Sequence, residues 1–362
     1  MKRWIILLHR YLGLACALGV LILGLSGGLL VFKKELSTAS GERPAAVSGP
    51  FAGYQALYQA ATERHPGGSV NLRFGETLAE PVQARIRGAG EERLLWLDPV
   101  TAEVVSDRAP DEGLFNWLRE LHEALLMDDA GETLVGVIGI GLLLMAISGL
   151  IYWWPKDWKR AWRVRTDKGM RILVSDLHRV AGAALSVVLL ISALTGVLLV
   201  FSKPVNGWIN ALYGAKPDKG VKVVPGDTRL PLDLLVAKGD AALPGGRLVD
   251  IRVDAKADKP VLLRKRLPGE IQPNGRSMVE VDPYRGEVLK VRPVDKAEPG
   301  IRLTTWVYAF HIGSVGGLLH RVLMLVTGLV LAMLGVSGVY QWAAREWKQR
   351  RAAPRRLATR GA

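Results

Sequence analysis

Cysteine is almost missing: Cys16 stands alone in 362 residues. That excludes a disulfide framework, a cysteine zinc site and a cysteine-ligated iron–sulfur cluster. Acidic residues are also scarce, 34 Asp and Glu against 48 Lys and Arg, for a formal net charge of +14. In a soluble chain such a surplus would suggest nucleic acid, but the location of the charges removes that reading. No P-loop, no Ser-His-Asp spacing and no GxGxxG context is found, so a catalytic centre of side chains alone has no support. Apolar residues, by contrast, make up 49% of the chain, which excludes disorder, and the length excludes a single small domain.

Four uncharged apolar runs are long enough to cross about 30 Å of hydrocarbon. They are Tyr11–Phe32, Leu134–Trp154, Val180–Phe201 and Val322–Ala344. Trp4, Trp153, Trp154 and Trp342 stand at their ends, as an aromatic belt does. The basic residues then separate by position. The first three residues, the loop 155–171 and the tail from Arg345 hold sixteen positive charges against three negative ones, nearly the whole of the +14.

By the positive-inside rule these segments are cytoplasmic, and the two long loops face the other side. A bacterial inner membrane with periplasmic loops is the expected setting. The first run is too long for a cleaved signal peptide and carries an internal His-Arg. Lone Cys16 inside a span suits loops that live without disulfides in an oxidising compartment. The expected division is a first transmembrane helix over 1–32, a periplasmic module over 33–113, and an interfacial helix with the second span over 114–154. A basic cytoplasmic loop over 155–172 leads to the third span at 173–201. The second module at 202–302, an interfacial helix with the fourth span at 303–344, and a basic tail at 345–362 complete the chain.

The chain repeats itself. A shift of 169 residues lays His9-Arg10 on His178-Arg179, Gly13 on Gly182 and Ser26-Gly27 on Thr195-Gly196. A shift of 189 lays His122 on His311, Ser148-Gly149 on Ser337-Gly338 and Trp153 on Trp342. Each half reads span, module, span, so the halves are expected to be parallel repeats about an axis along the membrane normal. In the modules, helical spacing over Phe51–Arg64 and Leu232–Leu243 is followed by short alternating segments. These are Val70–Phe74, Val82–Ile86 and Leu94–Leu97 in the first, and Arg247–Val253, Val261–Arg266, Met278–Val281 and Glu287–Val291 in the second. The predicted fold is therefore an α-helical membrane protein of four spans, with an α+β module in each half.

Five of six histidines lie in or beside spans, where ionisable groups are costly and functional. A single one would be read as a packing group. Two pairs, each related by an ungapped repeat and lying at opposite sides of one bilayer, suggest a flat cofactor ligated from both faces. Bis-imidazole ligation of haem iron supplies that arrangement and suits electron transfer. His9 would pair with His178, and His122 with His311, while His320 has no counterpart and would be a substitute ligand for the outer haem, or an electron-exit and propionate partner. Gly13, Gly182, Gly27 and Gly196 would give a porphyrin clearance, or equally allow close helix packing. Arg10, Arg179 and Arg321 each follow a histidine and could pair with a propionate or snorkel to lipid phosphate. Structural zinc wants four ligands together, which these separated pairs do not offer. A transporter site would call for a span broken by proline or carrying a central acid, and none is found.

The segment Leu8-His9-Arg10-Tyr11-Leu12-Gly13, its echo Leu177-His178-Arg179 with Gly182, and the Ser-Gly before Trp153 and Trp342 resemble the PepSY-associated transmembrane family. The Asp98-Pro99 and Asp282-Pro283 turns, each followed by Glu-Val, resemble PepSY modules. Within that family, size and plan look like the FoxB-type inner-membrane siderophore reductases. That resemblance implies two b-type haems per chain and reduction of ferric siderophores at the periplasmic face. The electron donor would be a quinol or a cytoplasmic reductase, with the lipid bilayer as the other partner and no nucleic acid. The alternative is a non-enzymatic membrane protein whose modules bind a peptide or protease.

Overall fold

A computed structural model describes residues 2–88, 90–215 and 220–358. Arg360, the last basic residue of the tail, lies outside the described residues. The first half of the chain runs α1 (Lys2–Leu30), α2 (Lys33–Ala39), α3 (Tyr54–Arg64), β1 (Ser69–Arg73), β2 (Val82–Arg87), β3 (Arg93–Leu97), β4 (Val104–Arg108), α4 (Leu114–Ala124) and α5 (Asp128–Trp153). A one-turn helix, α6 (Trp158–Ala161), precedes α7 (Met170–Ala184), α8 (Ser186–Val200) and α9 (Ser202–Leu212). Then follow α10 (Leu232–Ala242), β5 (Arg247–Val253), β6 (Val261–Arg266), β7 (Ser277–Val281), β8 (Val288–Arg292), α11 (Pro299–His311) and α12 (Gly317–Ala358). They form two compact units, one of Met1–Phe32, Leu118–Ser202 and Phe310–Ala362, the other of Lys33–Trp117 and Lys203–Ala309.

The first unit is a helix bundle. Arg3–Leu30, Asp128–Trp153 and Gly317–Arg350 are each long and apolar enough to cross a membrane, and the bent pair α7–α8 makes a fourth span if counted as one. Helices satisfy their own backbone groups, which hydrocarbon requires. Leu18, Val187, Leu319 and Leu329 point outward and exposed, a surface suited to lipid. Contact between α1 and α12 runs through glycine: a Cβ on Gly24 would lie 2.6 Å from the carbonyl oxygen of Gly328. Small residues let the two backbones touch there.

The third span departs from the single straight helix expected over 180–201. It breaks at Leu185, and the two pieces meet at 66°. Neither proline nor glycine sits at the break. Leu185 leaves the helical region, with φ −100° and ψ 5°, and the Ser186 hydroxyl donates to the Ala183 carbonyl at 2.9 Å. A serine bonding back to its own helix in this way competes with the ladder and bends it.

The second unit is built on one antiparallel sheet, ordered β4-β3-β2-β1-β5-β6-β7-β8. The strands expected in two modules thus lie in one sheet, β1 pairing with β5 so that Val70 lies opposite Val253 and Arg73 opposite Asp250. Alternation places Leu72, Ala84, Ile251 and Leu263 on one face, where Leu57 of α3 and Leu235 of α10 cover them. Truncating one such leucine to alanine costs about 2–5 kcal/mol. The helices cap each other across the join: Asp233 accepts from the amides of Tyr54 and Gln55 at 2.9 and 3.0 Å, and Gln55 accepts from Leu232 at 2.9 Å. Strand β4 was not expected. Its alternation is hidden because it is an edge strand, with Val105 exposed and Asp107 and Arg108 polar.

Both Asp-Pro turns adopt the same form. Asp98 accepts from the amides of Val100 and Thr101, and Asp282 from those of Tyr284 and Arg285. His65, at the end of α3, donates from Nε2 to Asp107 at 2.9 Å, and Arg64 and Arg93 bond the same carboxylate.

Candidate functional site

The helix bundle brings four histidines together as two pairs. His9 of α1 meets His178 of α7 with ring centres 6.4 Å apart and planes at 87°. His122 of α4 meets His311 of α11 with ring centres 6.3 Å apart and planes at 40°. The two pairs stand at opposite ends of the bundle helices, since α1 carries His9 near its start and the Ser26-Gly27 that meets His122 near its end.

Every one of the four rings is held by a hydroxyl from another helix. The Nδ1 of His122 lies 2.9 Å from Ser26 Oγ, and that of His311 lies 3.0 Å from Thr195 Oγ1. His178 Nδ1 lies 2.7 Å from Ser337 Oγ. His9 Nδ1 lies 3.1 Å from both Ser148 Oγ and the Met145 carbonyl oxygen. A hydroxyl has one proton to give. Ser26 gives it to the Ile22 carbonyl at 2.7 Å and Thr195 to that of Ile191 at 2.8 Å, while Ser148 and Ser337 turn theirs to Met145 and Leu334. These oxygens therefore accept from the rings. The arrangement fits imidazoles protonated on Nδ1, with the Nε2 lone pair left for a ligand. A fixed tautomer of this kind is what the partner of a metal-bound histidine normally provides.

The glycine after each hydroxyl residue makes room for the ring. A Cβ on Gly27 would come within 2.7 Å of His122 Cε1, and one on Gly196 within 3.2 Å of His311 Cε1. At the other end, a Cβ on Gly149 would lie 3.0 Å from His9 Cε1 and one on Gly338 3.8 Å from His178 Cε1. Ser/Thr-Gly is thus a two-part seat, hydroxyl for Nδ1 and bare backbone for the ring edge. Gly13 and Gly182 differ: each faces a side chain, Met145 and Leu334, at an ordinary 3.5 Å.

The remaining candidates are dispersed. His320 stands apart from both pairs, against the ring of Phe310 at 6.2 Å. Arg321 donates to the Val31 carbonyl at 2.8 Å and lies over Phe32. Arg179 donates to the Arg163 carbonyl at 2.7 Å and pairs with Asp176, which Arg165 grips with two nitrogens. Arg10 is half-buried one residue after His9. Among the described residues no group of three or more His, Cys, Asp or Glu converges as a multidentate metal site. Each pair can offer two nitrogen lone pairs to one centre between them, and nothing further.

Sequence reasoning found the histidines and their glycines but missed Ser26, Thr195, Ser148 and Ser337 as ring partners. The signal was present: each precedes its glycine directly, and each recurs in the second half.

The chain is 25% identical over 255 residues to an uncharacterized protein of Pseudomonas aeruginosa. That match spans 63% of each protein, so the chain covers less than two thirds of its relative. The pattern of the PepSY-associated TM region matches residues 6–345, which takes in α1 through the first part of α12 and all four clamped histidines. The chain belongs to the PepSY-associated TM family.

Proposed function

We propose that the protein is an inner-membrane reductase carrying two b-type haems, which passes electrons across the bilayer to ferric siderophores. One observation carries this reading: four imidazoles in two facing pairs, each with Nδ1 bonded away and Nε2 free. The spacing fits the group. Two imidazoles bound through nitrogen on opposite sides of one metal, at about 2 Å each, place their ring centres a little over 6 Å apart, as here. A direct hydrogen bond between the rings would draw them closer.

Haem bound in this way supplies one-electron transfer with no open position for oxygen chemistry. The chain's own residues do the rest. Ser148 and Ser337 hold the rings of His9 and His178, and Ser26 and Thr195 hold those of His122 and His311, so that the ligands are preorganised. Gly27, Gly149, Gly196 and Gly338 let the rings approach backbone. Arg10, directly after His9, offers a guanidinium to a carboxylate at that end.

Several further features belong to the same reading. The matching seats at offsets of 169 and 189 residues support two parallel repeats, each with a PepSY-like module. The basic loop 155–171 and tail support cytoplasmic termini, which puts His9 and His178 on the inner side and His122 and His311 on the periplasmic side. Electrons would enter at the first pair from a quinol or cytoplasmic reductase and leave from the second. Ferrous iron is held less tightly than ferric by hard oxygen ligands, so reduction would loosen the chelate.

The test is spectroscopic. The purified full-length protein is expected to be red, with a Soret band that shifts on dithionite and is lost in the double variant His9→Ala/His122→Ala. Ferric siderophore should re-oxidise the reduced protein. A colourless, folded preparation would sink the reading; a red one that no ferric chelate re-oxidises would leave the haems and remove the substrate.

A further inference from the structure

The face of the sheet turned away from α3 and α10 crowds four arginines around one carboxylate. Cross-strand pairing sets Arg73 of β1 opposite Asp250 of β5, and Asp250 opposite Arg264 of β6. Two residues along, Asn71 stands opposite Arg252. Arg276, just before β7, lies close enough for its charge to act on Arg264 together with those of Arg252 and Arg73. Asp250 is fully buried beneath them, 3.3 Å from Arg252 Nε and 3.2 Å from Arg264 Nε. Glu280, on the same face of β7, is held by Arg292.

The charges do not balance and the hydrogen bonds do not close. Four guanidinium groups surround one carboxylate, a surplus that a well-packed surface would avoid. Nε of Arg264 and of Arg276 are buried donors without a hydrogen-bond partner, while the oxygens of Asp250 are engaged only as ion pairs. Buried polar atoms are nearly always satisfied, so two orphan donors beside a surplus of positive charge mark a place for an acceptor. Burial, offset in part by Asp250 and reinforced by Arg252, Arg276 and Arg73, pushes Arg264 down to about 10. An anion on this face would relieve both the crowding and the unmet donors.

We propose that this arginine face binds a multiply charged oxygen anion, and that the ligand is the anionic class of ferric chelate, catecholate or carboxylate. The choice of chelate rests on the reductase reading above; the anion site rests on the arginines. Guanidinium forks match paired oxygens in geometry and charge, and their planes stack on aromatic rings. Spread over three adjacent strands about 5 Å apart and the start of a fourth, the four forks suit a large anion with several arms better than a single small one. Tyr308 adds a phenol beside Arg276, its hydroxyl 3.5 Å from Asn274 Nδ2.

The test uses full-length protein in detergent and the gallium(III) complex of a hexadentate tricatecholate, which binds like the ferric complex but takes no electron. Calorimetry is expected to show binding that weakens about tenfold in Arg252→Gln and again in Arg276→Gln, and that falls with added salt. The cationic gallium complex of a trihydroxamate should bind at least about tenfold more weakly. Arg252 pairs with buried Asp250, so its variant is read beside Arg73→Gln, an exposed position that should keep the wild-type melting temperature and still bind about tenfold more weakly. The proposal is overturned by failure of the wild type to bind the tricatecholate or by unchanged affinity in the variants. Equal displacement by inorganic phosphate or by vesicles of anionic lipid overturns it as well. A red, dithionite-reducible protein blind to the gallium complex defeats this site alone. A colourless protein that binds it through these arginines defeats the haem reading alone.

Discussion

His122 donates from Nδ1 to the Ser26 hydroxyl at 2.9 Å, across ninety-six residues of chain. The serine has already given its own proton to the helix that carries it, so the bond runs in one direction only. Ser26→Ala should leave a buried N–H without an acceptor, at a cost of about 1–3 kcal/mol. Loss of such an outer partner loosens a metal site about 10- to 100-fold, so haem should pass to excess apomyoglobin faster than from wild type. Ser26→Thr, which copies Thr195, should restore the wild-type rate. Equal rates in wild type and Ser26→Ala would remove the serine from the site.

The four glycine seats are unequal, and that gives a graded test. Gly27→Ala sets a methyl 2.7 Å from a ring that Ser26 pins, while Gly338→Ala sets one at a comfortable 3.8 Å. Overpacking of the first kind costs about 1–3 kcal/mol. Gly27→Ala is expected to purify with about half the haem of wild type, and Gly338→Ala with the full complement, by pyridine haemochrome assay. The same haem content in both would separate the seats from the ligands.

The ring planes of His9 and His178 stand at 87°, those of His122 and His311 at 40°. Axial imidazoles that are nearly perpendicular leave the iron d-orbitals close in energy, whereas more nearly parallel ones separate them. Electron paramagnetic resonance of the oxidised protein should therefore show two low-spin signals, the more anisotropic one disappearing in His9→Ala. A single signal that both His9→Ala and His122→Ala reduce alike would contradict two distinct sites.

Asp107 sets an acid limit for the sheet. Its partial burial works against ionisation, but hydrogen bonds from His65, Arg64 and Arg93 outweigh that and hold it below the usual carboxylate range. A carboxylate lowered on folding adds stability that is complete above its unfolded pKa of about 4 and is lost as pH falls through the folded value. Asp107→Asn should therefore melt below wild type at pH 7, and the difference should shrink as the pH is taken below about 4. A constant gap down to low pH would assign the loss to packing instead.

The spans were legible because hydrocarbon tolerates so little: an uncharged run of twenty residues has few other meanings. The histidine pairs were legible because a repeat gives two chances to see the same residue. Ser148 and Ser337 were visible only as a repeated Ser-Gly, because a hydroxyl next to glycine is also ordinary helix packing and its ring partner lies over a hundred residues away. The break at Leu185 had no proline or glycine at its centre to announce it. Arg179 and Arg321 each donate to a backbone carbonyl, which every sequence contains and none advertises. Arg252 and Arg264 were read only as alternation in a strand, since the crowding arises from strands far apart in the chain.

The pairing of Val70 with Val253 also governs the order in which the chain can mature. β1 has β2 on one side from the start, but its other side stays an open strand edge until residue 253 has been made. By then two spans and a basic loop have intervened. An unpaired edge is an invitation to wrong partners, and contacts this remote form slowly. The amide ends of α3 wait as well, because Asp233 has yet to be synthesised. A chain stopped before residue 247 should thus hold β1 with one edge unpaired, and be cut there by protease more readily than the full-length protein.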